Sequence, residues 1–409
     1  MMQKLFLLSQ LWGAIYSENQ FSKGTINKHQ YKETYQLKLI PDDGSYLLSI
    51  KDINGNLFIN GHEGSGFRLD ISYNINSDNR KKIIDLIKDD KPKFSHLEND
   101  KIIKIKSIST HPNISKNYYI DLPSYIQLNL DIIGGDITIS HIHGRVNILT
   151  NGSNINVEKL SGKINVNTSA GNIDLNNIQG VIRLHTNNGD IRINHSSGNF
   201  YTSTSGGDLD FKYINGDIEA QNNAGSIYLE NINGNSITIK NTGGLLLGKK
   251  IVSNIKIKNY NNKTELFDID GNVDINNSNG DIYINQLSGK LACQVSTGDI
   301  KGEKISGPID AFSAIGNILM QLNYNTQIEN YGIHLETNAG DIILKMPSRL
   351  SANINATIVG SNIIQDLNSD FPISVLVTEE GVVGTGFIDS GTIPIKLRST
   401  LGEINIEKE

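Results

Sequence analysis

Apolar residues recur along this chain in short pairs rather than long runs. From about Tyr118 the pairs take the form Gly-x-Φ-x-Φ, where Φ is aliphatic, followed by four mostly polar residues. Gly171-Asn-Ile-Asp-Leu, Gly189-Asp-Ile-Arg-Ile and Gly225-Ser-Ile-Tyr-Leu are examples. A Φ-x-Φ step has the period of an extended strand, so both aliphatic side chains leave one face. The glycine marks a corner, where a Cβ would clash or φ must be positive. Glycines stand at 135, 144, 162, 171, 180, 189, 198, 207, 216, 225, 234 and 243, in steps of nine with Ser153 in the one vacant place. A second run holds 271, 280, 289, 298, 307 and 316. The runs are offset by 28 residues, one more than three units, which predicts a one-residue insertion between Gly248 and Asp270.

Neighbouring units are not equivalent. Seven residues after alternate glycines come Ile142, Leu160, Ile178, Ile214 and Ile232, with Ser196 breaking the row. The intervening units carry Asn151, Ser169, Asn187, Ser205, Asn223 and Asn241 there. The true period is therefore 18 residues, two nine-residue halves. This predicts an all-β, single-chain parallel β-solenoid (β-helix), one coil per period, with two principal strands and two corners per coil. Successive coils stack about 4.8 Å apart as parallel strands. One coil cannot bury its own apolar layer, so neighbours are required on both sides.

The remaining segments fit as caps. Leu48 to Tyr73 already alternates, with an Asn54-Gly55 turn between strands. Asp78 to Asp90 places Ile83, Ile84, Leu86 and Ile87 at helical spacing and predicts a short inserted helix. Lys101 to Ile108 returns to alternation, and the final strands fall within Val375 to Ile406. The divisions so read are a leader at 1–17, a β segment with its helix (about 78–90) at 18–117, the regular array at 118–346 and a C-terminal cap at 347–409.

With these features in place, the layout resembles the bacterial "putative adhesin" family of unknown function, the DUF4097-type β-solenoid proteins. Four stretches carry the likeness: Ser49 to His62 (SIKDINGNLFINGH), Tyr119 to Leu128 (YIDLPSYIQL), the Gly-Asp-Ile repeats, and the ending from Gly384-Thr-Gly-Phe to Gly402-Glu-Ile-Asn-Ile-Glu. The resemblance implies a solenoid at the cell envelope and transfers no catalytic residue.

Composition narrows the partners. A formal net charge of −6 implies no broad basic face, which argues against nucleic acid. Lys4 precedes an apolar run from Leu5 to Tyr16, and Glu18-Asn19-Gln20 follows, the layout of a signal peptide cut near Ser17. This predicts an extracytoplasmic protein: periplasmic, surface-bound or secreted. No later segment reaches the roughly 20 apolar residues that span a bilayer. The one cysteine, Cys293, allows no intrachain disulfide.

Candidate chemistry is sparse. The residue after the corner glycine forms a row: Asp136, Asn154, Asn172, Asp190, Asp208 and Ser226, then Asp281, Asp299 and Asn317. Asp and Asn suit corners because they accept turn hydrogen bonds. The competing reading places Ca²⁺ between Asp190 and Asp208, one rung apart, although the Gly-Gly-x-Gly-x-Asp pattern of calcium β-rolls is absent. Two rows on, Asp174, Arg192 and Asp210 read as opposite-charge ladder pairs. His141 and His143 stand two apart without a third ligand, and His185 and His195 lie elsewhere. Glu219, Glu230 and Asp268 form no evident carboxylate pair of the kind glycoside hydrolysis requires. The expectation is a non-enzymatic envelope or secreted solenoid with a structural or adhesive role and no cofactor. Its partner would be an envelope protein or a glycan surface. The alternative is a glycan-binding or polysaccharide-active β-helix, for which Tyr201, Tyr213 and Tyr228 are the aromatics of interest.

Overall fold

A computed structural model describes residues 16–23, 28–42, 46–76, 80–107, 111–324 and 331–409; the side chains of 16–29 and 80–84 fall outside the description. The leader assigned to 1–17 lies, except for its last two residues, outside the described residues, as do the side chains of Ile83 and Ile84. The chain divides into two compact units, Met1–Thr204 and Ser205–Glu409. Both are β-solenoid.

In the first unit the regular coils are the strands Ile137–Thr150, Ile155–Thr168, Ile173–Thr186 and Ile191–Thr204, each 14 residues long. They pair in parallel at a constant step of 18: Ile137 faces Ile155, Ile155 faces Ile173, and Ile173 faces Ile191. The first three coils each point five aliphatic side chains inward, and in the fourth Ser196, Phe200 and Thr202 take three of those places. In the first they are Ile137, Ile139, Ile142, Val146 and Ile148, all at most 3% exposed. The two halves of a coil therefore run as one strand here, bent rather than broken at Gly144, Gly162, Gly180 and Gly198. Gly180 shows why that column excludes side chains. Its φ is +137°, and an added Cβ would overlap the Gly162 carbonyl.

Three residues before that glycine column runs a second left-handed column that contains no glycine. His141, Lys159, Asn177 and His195 hold φ between 48° and 56°. Tyr213, Asn231, Lys250, Asp268, Gln286 and Lys304 repeat the conformation in the second unit, at 54° to 65°. Each such residue is a bulge. It puts two outward residues in succession, as at Ser140 and His141, so that Ile142 again faces inward. A left-handed L-residue costs roughly 1–2 kcal/mol, and none of the ten is β-branched.

The corner between coils is held by two hydrogen-bond ladders. Outside, the carboxamide or carboxylate oxygen following the corner accepts the backbone N–H of the equivalent residue one coil on. Asp136 accepts from Asn154 at 3.3 Å, Asn154 from Asn172 at 3.1 Å, and Asn172 from Asp190 at 2.8 Å. Inside runs a buried polar row of Thr150, Thr168, Thr186 and Thr204. The Thr186 hydroxyl donates to the Gly171 carbonyl at 3.1 Å and accepts from the Gly189 N–H at 3.1 Å. Thr204 donates to the Gly189 carbonyl at 3.0 Å. Backbone groups turned into a dry core thus find partners.

The outer end of this unit changes direction. Leu47–Asn54 and Asn56–His62 form a coil, pairing in parallel with Gln127–Gly134 and with Ile137–Ser140. Asn54-Gly55 is a solenoid corner rather than a hairpin turn, since its flanking strands pair with other strands. Beyond them Ile114–Pro123, Phe67–Asn76, Lys28–Leu37 and Tyr16–Lys23 continue as successive antiparallel neighbours. The helix Arg80–Asp89 packs Leu86 and Ile87 inward. Its C-terminal end is met by Lys116, whose Nζ donates to the Asp90 carbonyl at 2.7 Å and lies 2.6 Å from the Asp90 carboxylate. Both side chains are 3% exposed. The adjoining Glu33 is fully buried; it accepts from the Tyr35 hydroxyl at 2.6 Å and the Tyr73 hydroxyl at 3.2 Å and pairs with Lys91. Burial pushes the Lys116 ammonium down and the Tyr118 hydroxyl up to about 12.

The second unit begins with Leu209–Asn222, Ile227–Asn241 and Leu246–Asn261, again long strands. From Thr264 each coil has two short strands, beginning with Thr264–Asp270 and Val273–Asn279. The step of 18 holds from Leu246 through Thr264, Ile282 and Ile300 to Ile318. The predicted insertion is present but not between Gly248 and Asp270. Asn215 faces Asn233 whereas Ile218 faces Ile237, so the extra residue lies within Asn233 to Ser236. The Gly243-Gly244 pair concealed the slip: Gly244, not Gly243, stacks on Gly225. The buried polar row here is mostly Asn and Ser or Thr, with Asn222 donating to the Gly207 carbonyl at 2.9 Å and Ser313 to the Gly298 carbonyl at 3.0 Å. Cys293 takes an inward aliphatic place, and burial raises its thiol pKa far above the ordinary range. At the end the chain doubles back. Ile393–Leu401 lies between Ile333–Ala339 and Ala352–Val359, parallel to both, and Gly381–Ile388 closes the edge antiparallel to Ala352–Val359.

Three substitutions test this account by chemical denaturation. Lys159→Gly holds or raises stability by up to about 1 kcal/mol, whereas Lys159→Val lowers it by a similar amount or more. Lys116→Met, which strands the buried Asp90 carboxylate, costs about 3–5 kcal/mol.

Candidate functional site

The fixed register converts positions 18 apart into straight outward rows, so each sequence candidate has a definite setting. Asp190 belongs to the first unit. Its carboxylate lies 2.6 Å from Arg192, which reaches Asp174 at 3.5 Å, the predicted ladder pair. Asp208 belongs to the second unit, and its Oδ1 accepts the Ser226 N–H at 2.7 Å. Asp281 and Asp299 act likewise toward Asp299 and Asn317, at 2.9 and 2.7 Å. Each of these carboxylates is used as a corner acceptor or an ion-pair partner. Among the described residues no group of three His, Cys, Asp or Glu is arranged to hold a metal ion.

The histidines serve rows. His141 and His143 flank the buried Ile142; Nδ1 of the first lies 3.3 Å from Asn60 Oδ1 and that of the second 2.7 Å from Ser161 Oγ. His185 spans Ser203 and Asn187, at 2.8 and 3.2 Å. Of the tyrosines, Tyr201 in the first unit lies under the Arg183 guanidinium, 4.5 Å from the ring centroid. Tyr213 stands in the bulge row, and Tyr228 in the outward row three residues after the corner, so these two do not share a row. Asp268 accepts from Gln286 at 2.9 Å. Glu219 faces Thr238, and Glu230 faces Lys249.

One patch that sequence reading missed gathers aromatic and polar groups on the second unit. Two neighbouring outward rows run Tyr228, Leu247, Glu265, Tyr283, Lys301 and Glu230, Lys249, Phe267, Asn285, Glu303. Phe267 and Tyr283 meet edge-on, with ring centroids 5.5 Å apart. Lys249 stands 5.7 Å from the Phe267 centroid and Lys301 5.2 Å from that of Tyr283. Glu303 accepts from the Tyr283 hydroxyl and from Asn285 Nδ2, both at 2.8 Å, and pairs with Lys301 at 2.7 Å. The Lys301 ammonium, then the Tyr283 hydroxyl, hold the Glu303 carboxyl below the usual carboxylate range. The result is a fixed, ionised acceptor beside half-buried rings. Of these two rows only Tyr228 and Glu230 were named from sequence. The signal was available, since Tyr283 and Lys301 are 18 apart, but the contacts run diagonally between two rows.

No family model matches the chain, and no curated protein matches it. A solved structure similar along the chain is that of a "putative cell adhesion protein" from Clostridium sporogenes. It has 10% identity over 97% of this chain and 100% of that one, with a TM-score of 0.20. No property is carried over from it.

The corner role and the calcium reading separate at Asp208. Asp208→Asn keeps the Oδ1 acceptor and leaves the melting temperature unchanged, with or without calcium, while Asp208→Ala costs about 1 kcal/mol. A calcium-dependent melting temperature that Asp208→Asn abolishes would establish the metal instead.

Proposed function

We propose that this protein is a non-enzymatic, extracytoplasmic β-solenoid that makes broad, weak, multivalent contacts with glycan or protein surfaces of the cell envelope. The observation that carries the reading is the locked register. Outward side chains line up at the coil spacing of about 4.8 Å, so a repeating partner meets the same kind of group rung after rung. The coil length stays constant through the step from Leu246 to Ile318, so no loop projects from those coils. The Tyr283 patch favours saccharides within this class, because rings beside a fixed acceptor and amide donors suit the apolar and hydroxyl faces of a sugar.

The chemistry of the patch also supports a binding rather than a catalytic role. A general acid needs a carboxyl held protonated by its surroundings. Glu303 is pushed the other way by Lys301 and Tyr283.

Binding of the full chain to immobilised envelope glycans tests the proposal. Weak binding as a monomer that strengthens by roughly 10²-fold or more when the protein is clustered is the expected result. Tyr283→Ala weakens it, and cell fractionation places the protein outside the cytoplasm. Turnover of a glycan, or a cytoplasmic location, would overturn the reading.

A further inference from the structure

The inserted residue has a consequence on the opposite half of the same coils. Where Asn233 to Ser236 widens the corner, a concavity of about 390 Å³ opens on the outer face of the second unit. Its lining includes Ser236, Asn254, Lys256, Asn272, Asp274 and Lys290, two cations against one carboxylate, with Ala292 beside Asp274. The carboxamide oxygens of Asn254 and Asn272 accept the N–H groups of Asn272 and Lys290, at 3.0 and 2.9 Å. Of the amide NH₂ groups, that of Asn254 also donates to the Asn235 carbonyl at 3.4 Å, which leaves it one further N–H.

Charge on this face is arranged differently from the Tyr283 side. There Lys212, Lys263 and Lys301 have carboxylate partners, Asp210 at 2.9 Å, Glu265 at 2.7 Å and Glu303 at 2.7 Å, while Lys249 lies against the Phe267 ring. Here Lys240 and Lys258 face each other directly across parallel strands. Both are exposed, and neither makes an ion pair among the described residues. Lys256, two residues from Lys258 on the same face, meets Asp274 only at 3.9 Å, with both side chains 61% exposed. Like charges placed directly opposite destabilise a sheet. The solenoid gains nothing from the Lys240–Lys258 juxtaposition; an external anion would relieve it.

We propose that this concavity and its lysine rim bind an anionic polysaccharide chain, through carboxylate or sulfate groups. Lys240, Lys256, Lys258 and Lys290 extend over three coil steps, roughly 14 Å along the stack, which suits several linked sugars rather than one small anion. Amide and hydroxyl donors from Asn254, Asn272, Ser236 and Thr238 match sugar hydroxyls and ring substituents between the charges. The proposal rests on the saccharide-contact reading above only for the class of partner, and it uses the other face.

Calorimetric titration of the full chain tests it. The probes are a heparin-derived oligosaccharide, an oligogalacturonate and a neutral dextran oligosaccharide of equal length. At least one anionic probe binds, more weakly as salt rises, and which one binds separates sulfate from carboxylate. The double variant Lys240→Ser/Lys258→Ser reduces that affinity by about tenfold or more. Ala292→Glu, which adds a second carboxylate beside Asp274, reduces it as well. Melting curves confirm that each variant folds. Equal binding of the neutral probe, unchanged affinity in the lysine variant, or stronger binding of a single-stranded oligonucleotide of matched charge would each overturn the proposal. Loss of neutral-glycan binding in Tyr283→Ala alone would bear on the Tyr283 patch and not on this one.

Discussion

Wrapping a chain into stacked rungs forces backbone polar groups inward at every corner, away from water. Straight strands satisfy each other from coil to coil, and some corner amides do so too, as Gly271 does with Ser288, but other corner peptides turn out of the ladder. The structure answers with side chains from both sides. Asn and Asp oxygens on the outside catch the N–H groups of the next coil, as Asn154 does for Asn172. Thr, Ser and Asn on the inside catch the carbonyls, as Thr186 does for Gly171. The amide-rich composition that would otherwise suggest a loose polar chain is thus a direct product of the solenoid geometry.

Two columns deal with left-handed backbone in opposite ways. The column through Gly180 admits no side chain, because the carbonyl of the coil below occupies the space. The bulge columns, through Lys159 in the first unit and Tyr213 in the second, face solvent and accept side chains at a conformational cost. Where glycine would be easier, the chain keeps Lys, His, Tyr, Gln, Asp and Asn instead.

Most of the architecture was legible because one period governs it. The inward identity of Ile137, Ile139 and Ile142, the eighteen-residue coil and the corner role of Asp136, Asn154 and Asn172 all follow from spacing. The helix near residues 78–90 was legible from its own periodicity. What escaped depended on more than spacing. The bulge row has no residue signature, since any unbranched side chain serves. The insertion hid behind two consecutive glycines. The Asp90–Lys116 and Glu33–Lys91 pairs join residues 26 and 58 apart through the antiparallel cap, where no repeat applies. The aromatic patch escaped because Phe267, Tyr283 and Glu303 lie on diagonal neighbours of two rows, which a search along single rows does not join.

The C-terminal order of strands bears on how the chain reaches this state. Ile393–Leu401 occupies an interior rung, flanked on one side by residues synthesised some sixty positions earlier and on the other by Ala352–Val359. Until Ile393–Leu401 has been made, the rung at Ile333–Ala339 has a bare edge. Closure of that rung therefore waits on a segment made some sixty residues later. A nascent chain that lacks it exposes an open template for foreign strands.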